Sequence, residues 1–195
     1  MTMKDFKMKN KNELEKFYSE KKDFFNNMNK DYTLKNKSLD WMLHSDKYKY
    51  TYSFTWLGRP IIKYPADIVV QQELFWNLKP DLVIETGIAH GGSIIFSASM
   101  LKLLGNGGKV IGIDIDIREH NRKLIEEHPL SDTIEMYEGS SIDPKIFNQI
   151  KKEADCRQNV LVILDSLHTH NHVLEELLMY SKLVSLNSYI IVLDT

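Results

Sequence analysis

A chain of 195 residues is the size of one hydrophobic core rather than two. Its 43% hydrophobic and 27% charged residues, with few glycines and prolines, exclude a disordered, collagen-like or repeat protein. A net charge of −2 excludes a strongly basic polyanion binder, the single Cys156 excludes an internal disulfide, and no apolar run reaches the roughly 18–20 residues of a membrane helix. The lysine-bearing start lacks the apolar segment of a secretory signal, which with the lone cysteine points to the cytoplasm.

Residues 1–37 hold ten lysines against six acids, and the remainder fifteen basic against twenty-one acidic residues. Because Glu and Asp are interspersed, this mildly basic arm reads as a solvated helix face rather than a nucleic-acid or acidic-membrane patch. Leu14, Phe17, Phe24, Phe25 and Met28 recur at helical spacing, so 12–28 is predicted as an amphipathic helix, with Asn12 and Glu15 as its capping box. Residues 31–64 show no clear period and read as irregular structure with one short helix near 39–44. Residues 1–64 thus form an N-terminal extension to a domain over 65–195.

From residue 65 helical segments alternate with short strands apolar on both faces, the pattern of a parallel sheet covered on both sides. Helices are predicted over 66–78, 91–104, 118–128, 143–154 and 172–184. Strands are predicted over 81–86, 109–115, 133–139, 159–165 and 189–194. Five strands joined by right-handed helical crossovers make an α/β, Rossmann-like, doubly wound sheet.

The chemistry-bearing residues cluster at predicted strand ends. VIET runs through GIAHGGS into a helix: Gly87 permits a tight turn, Gly91 and Gly92 admit a ligand or neighbouring backbone, and Ser93 with the first helical N–H groups can receive an anionic group. Glu85 before the glycines and the spacing G-x-x-x-G-G depart from the dinucleotide fingerprint GxGxxG, and no GxxxxGK[ST] run exists. Asp114 closes the second strand, where a carboxylate accepts hydrogen bonds from ribose hydroxyls, whereas Asp116 is placed to cap the following helix. Ser140 and Ser141 end the third strand on the adenine side and are equally suited to capping the helix after it.

Asp165 and His168 close the fourth strand and are the candidate catalytic pair. His168, His170 and His172 invite a zinc reading, but His170 falls on a different helix face from the other two and no cysteine or HExxH pattern joins them. Oxygen ligands from Asp165 and Asp194, on neighbouring strand ends, suit Mg²⁺ better.

WLGRP at 56–60, PDLVIETGIAHGGS, VIGIDIDIREHNR, EGSSID, LDSLHTHNHVLEELLMYSKLV and YIIVLDT together resemble the cephalosporin hydroxylase/rhamnosyl O-methyltransferase family over about 52–195. The resemblance implies a class I fold dependent on S-adenosyl-L-methionine (SAM) that methylates a hydroxyl of a sugar or antibiotic-like small molecule, with a divalent metal in some members. It implies that Glu85, Gly87, Gly91, Gly92 and Ser93 hold the methionine part of SAM and Asp114 its ribose. Asp165 and Asp194 would be metal ligands with His168 beside them, although metal-binding relatives carry adjacent acids where Leu193 precedes Asp194 here. Sheets of this class continue into two more strands, so a shortened chain or completion by a partner, as in a homo-oligomer, is expected. The rival readings are a SAM-binding subunit or remnant without turnover, a nicotinamide-dependent oxidoreductase, and an RNA methyltransferase using the basic aromatic arm.

Overall fold

A computed structural model describes residues 3–194, with side chains from residue 12 onward. Lys4, Lys7, Lys9 and Lys11 of the basic arm and Thr195 at the chain end lie outside the described side chains. Chain contacts divide the protein into two units, Met1–Tyr50 and Thr51–Thr195.

The first unit is helical, with α1 over Met3–Lys30 and α2 over Tyr32–Asp46. Asn12 and Glu15 therefore sit inside a helix that began at Met3, and the capping box expected there does not form. The working cap is Asp31, whose Oδ1 accepts from the Leu34 N–H at 2.9 Å and starts α2. The irregular segment expected over 31–64 is helical in its first half. No residue of α2 is buried, so no apolar stripe was required to mark it in the sequence.

The second unit opens with a hairpin that the sequence reading missed, β1 (Phe54–Trp56) paired antiparallel with β2 (Arg59–Ile61). Its two-residue turn places Leu57 at φ 46° and Gly58 at φ 86°, the doubly left-handed turn that matches strand twist. The customary Asn-Gly signal is absent because Leu57 takes the first position. Thr51 rather than residue 65 thus begins this compact unit, since the hairpin packs into the core through buried Ile61 and half-buried Phe54 and Trp56.

Five parallel strands follow: β3 (Leu82–Thr86), β4 (Lys109–Asp114), β5 (Ile134–Glu138), β6 (Val160–Leu164) and β7 (Ile190–Val192), in the order β5-β4-β3-β6-β7. The intervening helices are α3 (Pro65–Leu78), α4 (Gly92–Leu104), α5 (Glu119–Glu126), α6 (Pro144–Asp155) and α7 (His170–Tyr180). Along β3, Leu82 and Ile84 join one apolar cluster with Ile150 and Tyr180, while Val83 joins the other with Phe75, Phe96 and Ile125. This alternation explains why β6 and the first three residues of β3 are apolar on both faces, each side chain meeting a helical layer. Burying a ring such as Phe75 or Phe96 contributes about 1.5–3 kcal/mol.

The strand order reverses between β3 and β6, and a crevice opens at the carboxyl ends of such neighbours. Glu85, Gly87, Asp165 and Ser166 all stand at that reversal. Among the described residues no helix is long and apolar enough to cross a membrane.

Candidate functional site

At the end of β3 the chain turns at Gly87 with φ 90°, and its N–H donates to the Ile113 carbonyl at 2.7 Å. A Cβ at Gly87 would overlap the Asp165 backbone carbonyl, so only glycine lets the ends of β3 and β6 meet. At Gly92 a Cβ would overlap the Pro60 carbonyl, and at Gly91 it would press on Ile125. The space beside each of these glycines where a Cβ would fall is taken by the hairpin and α5.

Asp114 at the end of β4 accepts from the N–H groups of Ile88 and Ala89 at 2.8 and 3.2 Å through Oδ2, and from the Asp116 N–H at 3.2 Å through Oδ1. It both holds the glycine loop and lines a cavity of about 320 Å³. Gly87, Ser140, Ser141, Asp165, Ser166 and His172 also line that cavity, whose size is at the lower end for small-ligand sites. Asp116 is exposed and does not cap α5, whose cap position is Arg118. The serines likewise do not cap α6, because Asp143 does so by accepting from the Lys145 N–H at 2.8 Å. Ser141 is buried instead, with its Oγ 3.2 Å from His172 Nε2 and its carbonyl accepting from the Tyr180 hydroxyl at 2.8 Å.

Two residues of the WLGRP stretch were assigned no role from sequence. Arg59, nearly buried, donates through Nε to the His90 carbonyl at 2.9 Å and through Nη2 to Asn121 Oδ1 at 2.9 Å, while Asn121 donates to the Ala89 carbonyl. The hairpin thereby clamps the glycine loop from behind. Trp56 adds an indole N–H bond to Ser99 of α4 at 3.0 Å and meets Phe96 edge-on at 5.0 Å. A guanidinium one turn residue from Trp-Leu-Gly carries no periodic signal, so sequence alone does not mark such a clamp.

Glu85 is fully buried, with the Ser93 and Ser97 hydroxyls beside it and no well-aligned hydrogen bond to either carboxylate oxygen among the described residues. Burial pushes its pKa up to about 7, opposed by Lys63 and the two nearby serines and aided by Asp165. Because the folded value lies above the ordinary 4.5, the associated stability is complete below about pH 4.5 and is lost as pH rises through about 7. Glu85→Gln removes that proton equilibrium. Wild-type thermal stability is therefore expected to fall by about 3 kcal/mol relative to the glutamine variant between those pH values, and parallel melting profiles would refute the assignment.

Lys63, also missed from sequence, is buried in the segment between β2 and α3, and its Nζ lies 2.9 Å from Asp165 Oδ2. Burial raises the Asp165 pKa above the usual carboxylate range, with Lys63 pulling it back. Beyond Asp165, His168 Nε2 is 3.4 Å from Asp194 Oδ2. One ligand atom from each of Asp165, His168 and Asp194 lies within 4.8 Å of the others. His168 stands in the loop before α7, so it does not share a helix face with His172, which turns instead to Ser141, Ser166 and Glu176. The three histidines are thus dispersed.

The arrangement suits a nucleoside ligand with a charged tail and a divalent ion. Two carboxylates with one imidazole form a donor set for a hard cation. A second cavity of about 200 Å³, lined by Tyr52, Lys63, Gly87, Ser93, His168 and Asp194 among others, adjoins the first at Gly87 and Asp165. The second cavity faces the acid and imidazole groups.

The family described as Rhamnosyl O-methyltransferase/CmcI matches residues 48–195. A rhamnosyl O-methyltransferase of Mycobacterium tuberculosis (strain ATCC 25618 / H37Rv) is 32% identical over 143 residues, covering 72% of this chain and 56% of the relative. One from Mycobacterium leprae (strain TN) is 31% identical over 142 residues, covering 72% and 60%. The chain spans a little over half the length of these relatives. Among solved structures, CmcI in an apo form aligns with TM-score 0.55 at 22% identity, covering 72% of this chain and 57% of that one. A CmcI structure described as Mg-SAM aligns with TM-score 0.55 at 22% identity, covering 74% and 58%.

Proposed function

Since this chain belongs to the rhamnosyl O-methyltransferase/CmcI family, we propose that it transfers the methyl group of SAM to a hydroxyl of a small molecule, a sugar or antibiotic-like metabolite. The observation that carries this reading is the meeting at the β3/β6 reversal of a nucleoside-sized cavity with the Asp165, His168 and Asp194 cluster. SAM supplies an electrophilic methyl on sulfur. A divalent ion held by Asp165 and Asp194 would lower the pKa of an acceptor hydroxyl.

The chain's own residues do the rest. Asp114 and the Ile88 and Ala89 N–H groups it holds set the ribose end, with Ser140 and Ser141 toward the adenine. Glu85, Gly87 and Ser93 receive the amino-acid end; Gly91 and Gly92 serve it indirectly by seating the helix that carries Ser93. In the alternative without an ion, His168, whose Nε2 lies 3.4 Å from Asp194, accepts the hydroxyl proton as general base. Positioning of acceptor and methyl in adjoining cavities then accounts for much of the rate. The reading places the enzyme in the cytoplasm, with self-association as its expected partnership.

Calorimetry with SAM followed by transfer of a labelled methyl to sugar and phenol acceptors tests the proposal. Micromolar SAM binding with label in the acceptor is the expected result. Binding without transfer would leave a SAM-binding subunit, and a response to NADH but not SAM would replace the reading with an oxidoreductase.

A further inference from the structure

The crevice holds a buried carboxylate, Glu85, a half-buried one, Asp165, and, among the described residues, one buried lysine beside them. Lys63 is 6% exposed and its ammonium takes Asp165 Oδ2 at 2.9 Å, an oxygen of the same carboxylate that joins His168 and Asp194 in the three-ligand cluster. Glu85, whose electrostatics register both Lys63 and Asp165, has the Ser93 and Ser97 hydroxyls beside it but no cationic partner of its own. One carboxylate is thus engaged by the lysine while a second lies close enough to feel it.

A divalent ion entering between Asp165, His168 and Asp194 would face a fixed positive charge on one of its own ligand groups. Two positive charges sharing the Asp165 carboxylate repel, less strongly toward His168 and Asp194, which are open to water, than toward the buried lysine. Moving the ammonium away from Asp165 relieves the repulsion, and Glu85 offers it a second carboxylate.

Resting on the metal-site reading above, we propose that Lys63 is a built-in cation that holds Asp165 when no divalent ion is bound and must be displaced from it when one enters, so that Lys63 sets the metal affinity of the site. Lys63 is a positioning residue for Asp165 here. Its aliphatic stem reaches the crevice from the segment that the β1–β2 hairpin anchors, which leaves the hairpin and the metal site linked through one side chain.

The test is Mn²⁺ binding measured by electron paramagnetic resonance on the full chain, without SAM or acceptor. Lys63→Met, which keeps the reach and removes the charge, is expected to bind Mn²⁺ about tenfold more tightly or better than wild type. Lys63→Arg should restore the weaker wild-type affinity, an outcome that a role confined to packing does not produce. Mn²⁺ affinity in Lys63→Met equal to or below that of a metal-binding wild type overturns the displacement proposal and leaves the metal site standing. Failure of both proteins to bind Mn²⁺ overturns the metal-site reading and the proposal together. Should Lys63→Met not fold, a wild-type crystal soaked in Mn²⁺ decides the matter: Nζ withdrawn from Asp165 supports the proposal, and Nζ still within hydrogen-bond distance beside a bound ion overturns it.

Discussion

Gly87→Ala is expected to abolish SAM binding and to lower stability by about 4 kcal/mol or more, the range in which a single substitution has broken a specific structural requirement. Two costs combine. A φ of 90° is strained for any residue with a side chain, and the added methyl would overlap the Asp165 carbonyl. The overlap has no inexpensive relief, because both groups belong to the backbone of adjacent central strands in register from Leu82 with Val160 to Thr86 with Leu164. Spreading the two ends widens the crevice and moves Asp165 away from the loop that faces it. Thermal unfolding and calorimetry with SAM measure the two effects separately. A folded alanine variant with wild-type SAM affinity would show that the ligand lies elsewhere.

Asp165→Asn is expected to lower methyl transfer by about 10²–10³-fold, the range seen when one charge-stabilising group is removed from an active site. The amide keeps an acceptor for the Lys63 ammonium now 2.9 Å from Oδ2, so the fold and SAM affinity should change little. It removes the negative charge that a divalent ion or a charged His168 would rely on. Turnover with labelled SAM reads the loss, and the melting temperature shows whether the fold is intact. Undiminished transfer by the asparagine variant would eliminate metal-assisted activation through Asp165.

The alternating helices and strands from residue 65 onward were legible because β3, β4 and β6 are apolar on both faces and glycine or polar residues punctuate them. The position of Glu85, Gly87, Asp114 and Asp165 at strand ends was also legible, since a doubly wound sheet gives those ends a known address. Lys63 and Arg59 were not. Each lies outside the periodic elements and acts across the fold, Lys63 on Asp165 and Arg59 on His90 and Asn121, and only tertiary contact reveals such pairings. The β1–β2 hairpin escaped because its strands are short and its turn begins with Leu57. The α2 helix escaped for the opposite reason: its sequence tolerates helix, but nothing is buried along it to impose a stripe. The cap assignments at Asp116, Ser140 and Ser141 failed because these side chains or their backbone were already committed to the crevice or to solvent.

The strand order also sets a sequence of events as the chain emerges during synthesis. Asp114 meets the Ile88 N–H across 26 residues, so the glycine loop closes soon after β4 is made. The bond from the Asp165 N–H to the Thr86 hydroxyl spans 79 residues and waits for β6. Until then the apolar flank of β3 is an open edge, and long-range pairing of this kind is slow. The glycine loop is thus tied down early, whereas both cavities wait for β6 to bring Asp165, and the cluster of Asp165, His168 and Asp194 waits for β7.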